Sequence, residues 1–417
     1  MSYGASDFFS SPACGGGVGE ADGGGGDDAT RHHFRKYRTG PLRPLRGRQK
    51  GLGPLLTLRK RGRGILGSLA VLLLAACGGP DLGAPEYPPE SCARLEFIDA
   101  ETGWNVVGAE DVEVDYRENL LYISAYDRIL TEQALSTGDV PPTGAVYVVN
   151  FGDLQGPVLQ VRPMLSVAQK FSEVRPHGIG LIRHRAKRLM IVNREYQTPD
   201  HGLEAWFVVA EDVDDPVAEH PDTITDSFRT RLPARTNDIA YHVYDAYFTV
   251  DQEKTGWFAQ ATGAVNGSLW KLDSLEPKML LDGFAFANGL VTGADDSLIV
   301  AETRASELAV VDLEKNAVTR RIKLPGGPDN LTRAPDGSIL AALHPSLFKL
   351  GLHRKFGAKH APSRAVRVDP ETGAWALLFD DPTGKVFTGA TVAAEIDGKL
   401  VLGSATDRGL LVCERPQ

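Results

Sequence analysis

The sequence predicts an all-β chain folded as a six-bladed propeller, closed by pairing of its N- and C-terminal strands. Three observations predict it. From residue 94 onward, short runs of Val, Ile, Leu, Tyr and Phe are broken by Gly, Pro, Asn and Asp, with little helical periodicity. One grammar recurs six times: a polar lead, a strand, a turn and a second strand. The repeats start roughly 40–70 residues apart, the spacing of propeller blades.

The units run in order. GAEDVEVDYRENLLYISAY is led by Glu110 and Asp111, and RPHGIGLIRHRAKRLMIVN by His177. RTNDIAYHVYDAYFTV is led by Asn237 and Asp238, and FANGLVTGADDSLIVAE by Asn288. GPDNLTRAPDGSILAAL is led by Asp329 and Asn330, with Asp336-Gly337 as its hairpin turn. The sixth, TGATVAAEIDGKLVLGS, offers only Thr388 and Thr391. Each unit is a small sheet that cannot bury both faces alone, and radial packing lets neighbours cover each other. Each polar lead then falls at one mouth of the central channel. The strand RLEFIDA after Cys92 has no unit of its own, so the simplest closure pairs it with the last blade, which ends LLVCE at Cys413.

The chain has 417 residues and is 42% hydrophobic, enough to bury a sizeable core. Charge is uneven. Residues 1–76 hold 12 Lys and Arg against 5 Asp and Glu, and the total of −9 leaves −16 for residues 77–417. An acidic body argues against nucleic acid as a partner. Residues 1–58 are Gly- and Arg-rich, without apolar periodicity, and read as a disordered or wrongly assigned leader. A start at a non-Met codon near Leu52–Leu58 would explain that placement.

Residues 59–76 are a basic stretch followed by ILGSLAVLLLAA, a signal-peptide pattern too short to span a bilayer. The ending LAAC resembles a bacterial lipobox, which implies a lipid on Cys77 and export to the outer membrane, facing the periplasm or cell surface. An uncleaved N-terminal anchor is the other reading. Residues 77–91 read as a linker and 92–417 as the propeller. Of four cysteines, Cys92 and Cys413 remain in the body, and an isolated pair in an exported chain favours a disulfide.

The leads Glu110, Asp111, His177, Asn237, Asp238, Asn288, Asp329 and Asn330 are oxygen-rich, apart from one imidazole. Singly, each has a bland explanation: Asn288-Gly289 as a turn, the Asn/Asp pairs as Asx-turns, His177 as a loop histidine. Recurrence at one position of the repeat points instead to a shared cation. Ca²⁺ takes about 6–8 oxygen ligands with flexible geometry, whereas Zn²⁺ draws on His and Cys.

At these residues the chain resembles the paraoxonase/arylesterase family and, more distantly, the gluconolactonase and SMP-30 propellers. The motifs are GAEDVEV, PHGIGL, TNDIA, GFAFANGL, PDNL and GKLVLGSATDRGLLVCE. The resemblance implies two Ca²⁺ ions. A catalytic one would be held by Glu110, Asn237, Asn288, Asp329 and Asn330. A deeper structural one would use Asp111, Asp238 and the carbonyl of Ile179. It also implies a Cys92–Cys413 disulfide, His177 as general base, and His344 and Phe286 in the substrate pocket. Two positions depart from the family pattern: Arg194 stands in place of a second histidine, and Leu343 in place of a free cysteine.

The expected function is calcium-dependent hydrolysis of lactones or aryl esters. Glu110 and Asp329 serve as reserve bases should Arg194 spoil His177. A sugar-lactonase of the gluconolactonase type, or a non-catalytic lipid-anchored propeller that binds a partner, are the alternatives.

Overall fold

The computed structural model describes residues 82–165, 174–184, 186–197, 202–210, 226–252, 265–274 and 276–416. The leader, the signal segment and Cys77 lie outside the described residues.

Six sheets surround the channel, five of four strands and one of five. Blades 2 to 5 are each contiguous in sequence apart from loops, whereas blade 1 is interrupted before its last strand, Pro163–Leu165, by a strand of the sixth sheet. The innermost strands of blades 1 to 5 are Ala109–Asp115, Pro176–His184, Thr236–His242, Ala287–Thr292 and Gly327–Arg333. The sixth sheet is composite. It runs Ala390–Ile396, Lys399–Ser404, Leu410–Glu414, then back to Cys92–Asp99 and out to Val158–Val161. The last of these pairs parallel to Cys92–Asp99, an edge the sequence does not announce. The inner strands touch in order around the axis, and Ala109–Asp115 meets Ala390–Ile396 to complete the ring.

The core lies between blades. Ala240 and Leu269 of blade 3 pack with Ala287, Leu290 and Leu298 of blade 4, and Val112 and Ile123 of blade 1 with Val392 and Val401 of the composite sheet. A second strand such as Leu120–Ala125 is buried along its whole length, because a neighbouring blade covers each face.

Cys92 lies opposite Cys413 in antiparallel register, and the two are joined by a disulfide. Arg94 reinforces the closure by donating from both terminal nitrogens to Asp407, at 2.5 and 3.0 Å. The packed body begins earlier than the expected boundary at Cys92. Tyr87 is fully buried, its N–H donates to Leu378 O at 2.8 Å and its hydroxyl to Glu395 at 2.9 Å, so residues 86–91 are no free linker.

Among the described residues the chain also forms two α-helices, although its sequence shows little helical periodicity. Helix α1 spans Arg128–Thr137 and helix α2 spans Leu347–Phe356. Asp127 caps α1 by accepting from Leu130 N, and Gly138 ends it at φ 78°. Ser346 caps α2 by accepting from Lys349 N, and Gly357 ends it at φ 67°. These are ordinary start and stop signals. An Arg354–Glu132 ion pair ties the two helices together.

Candidate functional site

All six inner strands carry a register shift against their second strand, at the polar lead: Ala109/Asp111, Pro176/Ile179, Thr236/Ile239, Ala287/Leu290, Pro328/Leu331 and Ala390/Val392. Consecutive residues of a regular strand point to opposite faces. A bulge breaks that alternation and re-aims side chains, which is how adjacent residues such as Glu110 and Asp111 both serve the channel.

The strands also approach unusually closely. A Cβ on Gly178 would lie 2.4 Å from Asp238 Cα, and one on Gly289 would lie 2.4 Å from Asp329 O. Gly289 is therefore the space that lets blades 4 and 5 meet at the axis, and Asn288-Gly289 is strand rather than turn. Asp336-Gly337 does form the hairpin turn, with Gly337 at φ 88° and its N–H donating to Ala334 O.

At the mouth, side-chain oxygens gather without partners. Among the described residues, Asn237 Oδ1, Asn288 Oδ1 and Asn330 Oδ1 are buried and accept no hydrogen bond. The amide nitrogens are engaged elsewhere, which fixes the orientation of two of these groups. Asn288 Nδ2 donates to Thr303 Oγ1 at 3.0 Å and to Asp329 Oδ1, and Asn330 Nδ2 donates to Glu110 O at 2.9 Å. Asp329 Oδ2 lies 2.7 Å from His344 Nε2. Among the described residues no three His, Cys, Asp or Glu side chains form a metal-holding cluster. The oxygens collected here come chiefly from asparagine, which suits a hard, oxygen-seeking cation.

His177 is 1% exposed, with Nδ1 against Glu110 Oε2. Arg128, the first residue of α1, enters from the side: its Nη2 lies 2.9 Å from Glu110 Oε1 and 2.6 Å from His177 Nδ1. Burial, with Arg194 and Arg128 nearby, holds the imidazole well below its usual range and keeps it neutral. Burial works against charge on Glu110 as well, but Arg128, the His177 ring and Arg194 together hold that carboxyl well below the usual range. Arg194 is buried and donates from Nη2 to Thr236 O at 3.0 Å.

One residue deeper, Asp111 and Asp238 form a different set. Asp111 accepts from Val112 N and Ile179 N, and Asp238 from Ile239 N and Leu290 N, at 2.6–2.9 Å. Burial pushes both carboxyls up, and the charge of Asp238 adds to the rise of Asp111. A cavity of about 560 Å³ opens beneath them, lined by Glu113, Arg117, Tyr241 and Arg333 among others. His177 and Glu110 do not line it; they lie on the other side of the carboxylate pair.

The structure thus brings together Glu110, His177, Arg194, Asn288, Asp329, Asn330 and His344 at one end, with Asn237 beside Gly178. Ile179 stands at the deeper level, where its N–H binds Asp111. Phe286 is half-buried at φ 67°, under the Arg304 guanidinium at 5.1 Å. Phe284, two residues earlier, is fully buried core. Sequence reasoning missed Arg128, although the cap at Asp127 marks the helix that carries it. It also missed Arg175, whose guanidinium donates to Pro141 O and Pro142 O and so pins the segment after α1.

A family model described as arylesterase matches residues 143–415. Human serum paraoxonase/arylesterase 2 is 32% identical over 153 residues, 33% of this chain and 40% of that protein. The strictosidine synthase-like 10 protein of Arabidopsis thaliana is 31% identical over 157 residues, 31% of this chain and 42% of that protein. The matched stretch therefore spans about two fifths of the length of these relatives. Among solved structures, a calcium-binding regucalcin from Agrobacterium tumefaciens aligns with TM-score 0.46 at 13% identity, covering 79% of this chain and 95% of that one. A putative gluconolactonase aligns with TM-score 0.43 at 12% identity, covering 79% and 94%.

Proposed function

The chain belongs to the arylesterase family, and from that premise we propose that it hydrolyses lactones or aryl esters with the help of bound Ca²⁺. The observation that carries this reading is the group of unpartnered buried oxygens on Asn237, Asn288 and Asn330, beside Glu110 and a neutral His177. A buried acceptor without a donor costs about 1–3 kcal/mol, and a cation would relieve several at once.

Glu110, Asn237, Asn288, Asp329 and Asn330 would hold an ion at the mouth. Asp111, Asp238 and the carbonyl of Ile179 would hold a second, where two buried carboxyls stand together with, among the described residues, no side-chain cation bound to either. When bound, the mouth ion supplies Lewis-acid polarisation of the ester carbonyl and positive charge for the developing oxyanion.

The chain's own groups do the rest. His177 Nδ1 faces an acceptor, Glu110 Oε2, and a donor, Arg128 Nη2, and a neutral ring satisfies only one. A proton on Nδ1 directed to Glu110 leaves the lone pair on Nε2, 3.5 Å from Arg128 Nη2, as the acceptor for a proton from the attacking water. Arg194 and Arg128 lower the basicity of that nitrogen but keep it unprotonated at neutral pH. Glu110 is a poor reserve base, because its carboxyl is held far too acidic. Asp329 is oriented by Asn288 and His344.

The test is an assay of purified residues 78–417 on phenyl acetate and a panel of lactones, with and without a Ca²⁺ chelator. Hydrolysis lost with chelator and restored by Ca²⁺ supports the reading, and full activity in metal-free protein overturns it. The lipid on Cys77 is a separate part of the proposal. Membrane fractionation of the full chain should find it with membranes, and a Cys77→Ser variant should move to the soluble fraction.

A further inference from the structure

The charge balance at the mouth points to the class of substrate. Two carboxylates, Glu110 and Asp329, face two guanidiniums, Arg128 and Arg194, at 8% and 7% exposure. The balance is met before any metal binds. A divalent cation held by asparagine oxygens and these two carboxylates adds two positive charges with no anion left to match them. Uncompensated buried charge is strongly unfavourable.

The guanidiniums are also incompletely used. Among the described residues, Arg128 Nε and Arg194 Nε are buried and donate to nothing, although each residue spends Nη2 on the site. Arg304, stacked over Phe286, leaves Nη1 in the same condition. Buried N–H groups left idle on three arginines call for an acceptor, and arginine forks bind carboxylates with two parallel hydrogen bonds. A neutral, lipophilic ester supplies no such acceptor beyond its reacting carbonyl.

We propose that Arg128 and Arg194 select esters or lactones that carry a carboxylate of their own. The proposal rests on the hydrolase reading above and adds the substrate class. Arg128 is offered by the N-terminal end of α1, and α1 is tied to α2 through Glu132 and Arg354. The selecting group therefore rides on a braced helix rather than on a free loop. It remains a specificity group, since it binds the distal acid and not the bond that breaks.

The test compares monophenyl adipate with its methyl ester, methyl phenyl adipate, on the Ca²⁺-loaded full chain. The acid should exceed the neutral ester in kcat/KM by roughly tenfold or more, chiefly through KM. Arg128→Gln and Arg194→Gln should each collapse that ratio by roughly tenfold, while Arg128→Lys, which keeps the charge, retains part of it. A ratio at or below one, or a ratio unchanged in both Gln variants, overturns the proposal and leaves the hydrolase reading standing. If neither ester is cleaved, the hydrolase reading fails, and calorimetry with adipate against adipamide decides the anion site alone. Tighter binding of adipate, lost in Arg128→Gln, upholds it; equal binding of the two refutes it.

Discussion

The mouth of the channel and the carboxylate pair beneath it are built from adjacent residues, yet they are finished differently. Glu110 and Asp111 are neighbours, as are Asn237 and Asp238. At the mouth, among the described residues, Asn237 Oδ1 accepts no hydrogen bond, Glu110 Oε2 faces the His177 ring, and two arginines crowd the site. One residue on, both oxygens of Asp111 and of Asp238 accept backbone N–H groups, two of them from neighbouring blades. The same bulge serves both levels, and what differs is who satisfies the oxygens. Backbone partners are permanent, so the deeper pair ties blades together. The mouth keeps buried acceptors that no described donor fills, which is what the proposed reacting site needs.

Four measurements press on that difference. The largest expected effect is on activity. Asp329→Ala should lower kcat/KM by about 10²–10³-fold or more with little change in melting temperature, since Asp329 binds only side chains in the site. A large stability loss without an activity loss would erase the distinction. Asp238→Ala should show the opposite split. It strips acceptors from Ile239 N and Leu290 N and should cost about 2–5 kcal/mol in a urea titration.

Chelation should affect both levels, but separably. In wild-type protein it should abolish hydrolysis and lower the melting temperature. In Asp238→Ala the further drop in melting temperature should be small, because the deeper site is already gone. A drop as large as in wild type would place the stabilising ion elsewhere.

The smallest effect is on pH dependence. The His177 pKa is depressed by burial, Arg194 and Arg128. An unfolded histidine titrates near 6.5, so its contribution to stability is complete above that pH and is lost as pH falls toward the lower folded value. The acid limb of kcat/KM should accordingly lie below about 6.5. Arg194→Gln should move that limb upward by a fraction of a pH unit, and an unmoved limb would remove His177 from the role of base.

Much of this was legible in the primary structure for a simple reason. Repetition turns weak signals into a strong one: a single Asp-Asn is a turn, but five oxygen-rich or imidazole leads at one position of a repeat mark an axis. The pairing of Cys92 with Cys413 was legible because both flank strands at the ends of the body. The helices were a different matter. Asp127 and Gly138, like Ser346 and Gly357, are plain caps, yet ten-residue helices carry weak periodicity beside so much strand. Arg128 was invisible as a site residue because nothing local distinguishes it from any other helical arginine.

The sequence by itself determined the all-β class, the closure of the ring and the identity of the oxygens at its axis, because alternation, turn chemistry and repetition are local properties. Only the tertiary structure decided which of those oxygens lack partners, that a bulge in every inner strand turns neighbours the same way, and that Arg128 and Arg194 meet over Glu110 and His177. Those facts depend on groups far apart in the chain sharing a small buried volume. There, charge and unpaired hydrogen-bonding capacity are summed over blades rather than along the sequence.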